Sequence, residues 1–87
     1  MAQTHKVDIQ NMKFDPQSVT VAKGDTVEWT NRMGMAHTVT GDDLAKLGDS
    51  GNIAPSGGTH CHVFDASDTI TYHCEIHPFM TGTVIVA

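Results

Sequence analysis

Nine residues near the C-terminal end constrain this chain more than any other stretch: Tyr72-His73-Cys74-Glu75-Ile76-His77-Pro78-Phe79-Met80. A thiol, an imidazole and a thioether stand there at positions i, i+3 and i+6. A loop that short can turn all three side chains toward one point. A second imidazole, His37, is offered by the distant stretch Trp29-Thr30-Asn31-Arg32-Met33-Gly34-Met35-Ala36-His37. For the four donors to meet, two remote segments of the chain have to lie side by side.

Two imidazoles, a thiolate and a distant thioether form the donor set of blue-copper electron-transfer sites. Thiolate and thioether favour Cu(I), whereas imidazole serves both oxidation states. A trigonal plane of two nitrogens and one sulfur, with a weak axial sulfur, is acceptable to both states, so little has to move when an electron arrives. Pro78 stiffens the backbone between His77 and Met80 by holding φ near −65°. Phe79 is expected to keep water off the thioether side. Zinc is the nearest rival, since Cys and His bind it too. Structural zinc sites, however, use paired C-x₂₋₄-C and H-x₃₋₅-H spacings and gain nothing from a thioether. A c-type haem would need C-x-x-C-H, which does not occur.

The rest of the chain reads as short strands separated by turn residues, the pattern of an all-β sandwich. Val7-Asp8-Ile9 alternates apolar and polar, and Met12 and Phe14 continue it to the Asp15-Pro16 turn. Val19-Thr20-Val21 follows, closed by Lys23-Gly24-Asp25, and then Thr26-Val27-Glu28-Trp29-Thr30 with Val27 and Trp29 on one face. His37-Thr38-Val39-Thr40 is expected as a fourth strand that delivers the first histidine. Between Gly41 and Gly58 the pattern lapses, with one helical turn expected over 42–47. Strands resume at Thr59–Asp65, Thr69–Tyr72 and Thr83–Val86. A single domain over residues 1–87 accounts for this, with no repeat and no linker.

The motif Tyr-His-Cys-x-x-His-Pro-Phe-Met with Gly82 and Val84 behind it resembles the ligand loop of the cupredoxins, and within them the amicyanins. The upstream Trp29-x-Asn31-Arg32-x-x-Met35-x-His37 and the opening Val7-Asp8-Ile9 through Gly24-Asp25-Thr26-Val27 resemble them as well. Ala36 departs from the pattern, standing where amicyanins have a proline. The resemblance implies a Greek-key β-sandwich of about eight strands with copper at one end. It implies one copper ion per chain, held by His37, Cys74, His77 and Met80, and cycling between Cu(I) and Cu(II). It implies one-electron transfer rather than catalysis, a periplasmic setting, and a redox protein partner such as a dehydrogenase or a c-type cytochrome. Asn31 is assigned a hydrogen bond toward the ligand loop, tying the two segments together. Met33, Met35, Pro78 and Phe79 would form an apolar docking patch around His77.

Charge and composition narrow the partners. A net charge of −5 with only five Lys and Arg offers no basic cluster for nucleic acid. No apolar run approaches the roughly 18 residues that span a membrane. Met1-Ala2-Gln3 reads as a start placed ahead of a mature sequence, which would leave a leader off. A monomer is the default for a small shuttle. Two cysteines are present, and if Cys74 binds metal it is not free to pair with Cys61.

His60-Cys61-His62 is the feature left over. In a regular strand His60 and His62 share one face and Cys61 takes the other, so the three do not bind one ion together. Together with Met33 and Met35, these residues keep a second function class open: copper binding for resistance or delivery, with a second metal site. His73 and His5 are read as surface histidines.

Overall fold

The computed structural model describes residues 2–87, so the start read at Met1 lies outside the described residues. Eight strands form two four-stranded sheets. In chain order they are β1 (Thr4–Gln10), β2 (Lys13–Asp15), β3 (Ser18–Val21), β4 (Asp25–Asn31), β5 (Thr40–Gly41), β6 (Thr59–Phe64), β7 (Asp68–His73) and β8 (Thr81–Val86). One sheet runs β2-β1-β4-β6 and the other β3-β8-β7-β5. The chain crosses repeatedly between sheets, and this makes β1 parallel to β4 and β3 parallel to β8 while their other neighbours are antiparallel. The all-β sandwich expected from the alternating pattern is the observed architecture.

Alternation explains which residues face inward. In β1, Val7 and Ile9 are fully buried; in β4, Val27 and Trp29 are; in β8, Val84 and Val86 point in. Trp29 and Tyr72 meet across the two sheets, with Trp29 Nε1 donating to the Tyr72 hydroxyl at 3.1 Å and their rings edge-on at 5.4 Å. Phe14 stacks edge-on against Tyr72 at 4.7 Å. A buried, satisfied hydrogen bond is worth about 1 kcal/mol net, and each aromatic pair adds about 0.5–1.5 kcal/mol beyond its area. Burial pushes the Tyr72 hydroxyl up to about 12. Gly82 is required opposite that ring, because a Cβ there would run into it.

Two expectations give way. His37-Thr38-Val39-Thr40 is not a continuous strand: regular pairing starts only at Thr40, and His37 is held by one isolated bridge to Ile53. The reason is that its neighbour on that side is the irregular segment 48–53. Residues 42–47 close a hydrogen-bonded turn, Lys46 and Leu47 N–H both donating to Asp43 O, and no helix follows. Gly48 at φ +81° ends it.

Candidate metal centre

At one end of the sandwich, the side chains of His37, Cys74 and His77 converge. One donor atom from each lies within 4.8 Å of the other two, and among the described residues no other group of His, Cys, Asp or Glu does so. His37 and Cys74 are fully buried and His77 is half-buried. Cys74 Sγ stands 3.6 Å from His37 Nδ1, and the two imidazole rings are 5.0 Å apart.

Backbone geometry delivers these side chains. Tyr72 and Cys74 alternate inward with β7, so Cys74 continues the buried face of its strand. The chain then turns: Met80 N–H donates to His77 O at 2.9 Å, and Cys74 N–H donates to Met80 O at 3.0 Å, closing the loop at its neck. Met80 is buried at that neck. The opposing segment is laced to residues 48–53 by Ile53 N–H to His37 O (2.8 Å), Ser50 N–H to Val39 O (3.0 Å) and Gly41 N–H to Gly48 O (2.8 Å).

The donors fit a soft metal ion. His37 Nε2 and His77 Nδ1 are buried without any hydrogen-bond partner. Orphaned buried polar atoms are costly and uncommon, and the other nitrogen of the His37 ring, Nδ1, is the one facing the buried free thiol of Cys74 at 3.6 Å. Burial, and then the nearby His77, hold the His37 imidazole below its ordinary pKa, so it stays in the neutral form that binds metal. A buried nitrogen-and-sulfur set with no carboxylate suits copper rather than a hard cation.

Asn31 does not reach the ligand loop. Its amide donates to Met35 O (2.8 Å) and Ile53 O (3.1 Å), and its carbonyl accepts from Met33 N–H (3.0 Å). It therefore braces the segment carrying His37 from inside that segment. The two segments are joined by Thr38, whose N–H donates to Cys74 Sγ at 3.4 Å and whose hydroxyl accepts from Glu75 N–H at 2.8 Å. Sequence reasoning passed over Thr38, and its place directly after His37 was the available signal.

Phe79 does not shield Met80. It is 70% exposed while Met80 is 2% exposed, and the Phe79 ring packs edge-on near His77 at 6.1 Å. Ile76, Pro78 and Phe79 are exposed around half-buried His77 and Met35 is exposed as well, whereas Met33 packs inward against the core. His73 is more than a surface histidine. It lies between Asp42 and Glu75, and hydrogen bonds to Asp42, then Glu75, raise its pKa. His5 likewise pairs with buried Asp25 at 2.9 Å.

His60, Cys61 and His62 do not converge. The two histidines are half-buried on one face of β6, against Trp29 and Phe64 respectively, and Cys61 is exposed on the other face near Glu28. Burial and the Glu28 carboxylate push the Cys61 thiol up, which makes it a poor thiolate donor. No disulfide links Cys61 and Cys74.

Comparison with known proteins agrees with this geometry. The family model for copper binding proteins of the plastocyanin/azurin family matches residues 1–87. Amicyanin of Paracoccus denitrificans is 37% identical over 92% of this chain, which spans 63% of that relative's length. Plastocyanin of Scenedesmus fuscus is 31% identical over 84% of this chain and 85% of its own. A solved Cu(I) structure of an amicyanin variant has a TM-score of 0.88 at 33% identity, covering 97% of this chain and 82% of that one. The eight strands, the buried His, Cys, His cluster and these similarities agree, and the chain belongs to the plastocyanin/azurin family of copper binding proteins.

Proposed function

We propose that this chain is a one-electron carrier in which His37, Cys74, His77 and Met80 would hold a type 1 copper ion. The observation that carries the proposal is the convergence of one donor atom each from His37, Cys74 and His77 within 4.8 Å, with His77 Nδ1 buried and otherwise unpartnered. Copper bound there would supply the Cu(II)/Cu(I) couple. The protein's own groups do the rest. The buried donors and the closed neck of the 74–80 loop hold one arrangement, so the exchange requires little reorganisation. Thr38 N–H, directed at the sulfur, stabilises negative charge on the thiolate. His77 lies among Ile76, Pro78 and Phe79, which with exposed Met35 offer an apolar face suited to a transient redox partner.

The partner class that best fits is a redox protein, a dehydrogenase on the donor side or a c-type cytochrome on the acceptor side, in the periplasm. The apolar face around His77 and the likeness to amicyanins support this. A chain of this kind works as a monomer. Among the described residues no helix is long and apolar enough to cross a membrane. Copper binding for resistance or delivery through a second site is the weaker reading, because Cys61 lies on the face of β6 opposite His60 and His62.

Cu(II) added to the metal-free protein is expected to give one intense thiolate-to-copper absorption band at one equivalent. Cys74→Ala should abolish the band, and Cys61→Ser should leave both band and stoichiometry unchanged. A colourless product, or a second equivalent lost in His60→Ala, would move the assignment to a binding or delivery protein.

A further inference from the structure

A polar chain leads away from the metal centre through the interior. Glu75 N–H donates to Thr38 Oγ1 at 2.8 Å, Thr38 Oγ1 lies 2.9 Å from Thr40 Oγ1, and Thr40 Oγ1 donates to Asp49 Oδ1 at 3.1 Å. Thr38 and Thr40 are buried, at 4% and 3% exposure, while Asp49 is exposed. The carboxylate also accepts from Gly51 N–H at 2.9 Å, which holds it in place.

The direction of every link follows from proton counting. A carboxylate only accepts, so the single hydroxyl proton of Thr40 goes to Asp49. Thr38 must then donate its own proton to Thr40, and its oxygen is left to accept from Glu75. Each hydroxyl polarises the next, and the anionic end strengthens the whole series. Thr38 is the residue at the head of this series, and its backbone N–H is the group directed at Cys74 Sγ.

We infer that Asp49 is a positioning residue for the metal centre: through Thr40 and Thr38 it fixes the Thr38 N–H against the Cys74 sulfur and ties Glu75 to the His37 segment. The inference rests on the copper reading only for its effect on the reduction potential; the relay itself belongs to the polypeptide. Hydrogen bonds around the cysteine sulfur tune such potentials. A donor to sulfur favours the reduced, more electron-rich thiolate state, so weakening it lowers the potential. Removing the Asp49 charge acts in the opposite sense, because a nearby anion favours the oxidised state. The informative variant is therefore Thr40→Val, which cuts the relay and leaves the charge in place.

Amide hydrogen exchange on the metal-free protein reads the relay without copper. In Thr40→Val the Glu75 and Thr38 amides should exchange about tenfold faster, the loss of one ordinary hydrogen bond. Val84 in β8 should be unchanged. Thr40→Ser, which keeps the hydroxyl, should restore protection, and Asp49→Asn, which keeps an acceptor oxygen, should retain most of it. In the copper-loaded protein, Thr40→Val should lower the potential and Thr40→Ser should not. If Thr40→Val does not fold, Asp49→Ala cuts the chain at its exposed end, and its exchange is compared with that of Asp49→Asn. Unchanged exchange at Glu75, a rise shared equally by Val84, or failure of the serine variant overturns the relay. Faster exchange with an unmoved potential overturns the positioning role while leaving the copper reading intact.

Discussion

The two segments that meet at the metal centre are held by different means. The downstream loop, 74–80, closes on itself through backbone bonds from Cys74 N–H to Met80 O and from Met80 N–H to His77 O. Its tip, Ile76 to Phe79, is largely exposed. The upstream arm, 31–53, has backbone bonds of its own, from Ile53 N–H to His37 O and from Ser50 N–H to Val39 O, and adds buried side chains to them: Asn31 braces it, Ser50 and Asp49 lace it, and Thr38 joins it to the loop. A loop with backbone closure tolerates sequence change at its tip. An arm whose backbone bonds are backed by individual buried polar side chains tolerates it less. Substitutions in the arm should therefore cost stability, and substitutions at the loop tip should mainly alter the site.

The largest effect is expected from Asn31→Ala. Asn31 is fully buried, and its loss strands Met35 O and Met33 N–H and leaves Ile53 O with only a long 3.5 Å bond from His37 N–H. Leaving buried groups unsatisfied costs about 1–3 kcal/mol apiece, and part of that relaxes. A loss on the order of 3 kcal/mol in the metal-free protein would lower Tm by roughly 12–24 °C for a domain of this size. Thermal unfolding checks it, and a drop of only a few degrees would mean the arm is held from elsewhere.

Gly82→Ala should come next, at about 1–3 kcal/mol for overpacking. The added Cβ meets the Tyr72 ring, and Tyr72 is bonded to Trp29 and lies two residues before Cys74. Tryptophan fluorescence should shift along with Tm. A variant of unchanged stability would show that Tyr72 moves aside without cost.

A polar clamp outside the comparison serves as its control. Asp25 accepts from His5, Gln3 N–H and Ala22 N–H, which together lower its pKa to about 2 from 3.8. A depressed carboxylate contributes stability above its unfolded pKa and loses it as pH falls through its folded value. Wild type and Asp25→Asn should therefore differ in Tm at pH 7, and the gap should close between pH 3.8 and about 2. Copper absorption at neutral pH should be the same in both. A gap that persists in acid would place the stabilisation somewhere other than the ionised carboxylate.

The contrast between segments also explains what the sequence revealed. Cys74, His77 and Met80 occur within one short run, and the inward strands advertise themselves by alternation at Val7 and Ile9 or Val27 and Trp29. Such signals are local. Thr38, Thr40, Asp49 and Ser50 become partners only after the chain has folded back, and no periodicity marks a bond between residues nine or eleven positions apart. Asn31 was noticed but given the wrong partners for the same reason. Phe79 was expected to keep water off the thioether, yet the closed neck of the loop already covers Met80 and leaves the tip free to face outward.

Pro78→Ala should have the smallest effect on stability and tests the comparison from the other side. Pro78 is exposed, and the two bonds that close the loop involve the backbone of Cys74, His77 and Met80, none of which the substitution removes. What is lost is a restriction on the unfolded chain, worth about 0.4–1 kcal/mol. Metal-free Tm should fall by a few degrees at most, well short of Asn31→Ala. The absorption band of the copper form should broaden instead, since His77 is held less tightly from its own side of the loop. If Pro78→Ala unfolds the metal-free protein as readily as Asn31→Ala, the backbone bonds at the neck are not what maintains the loop, and both segments must depend on side chains alike.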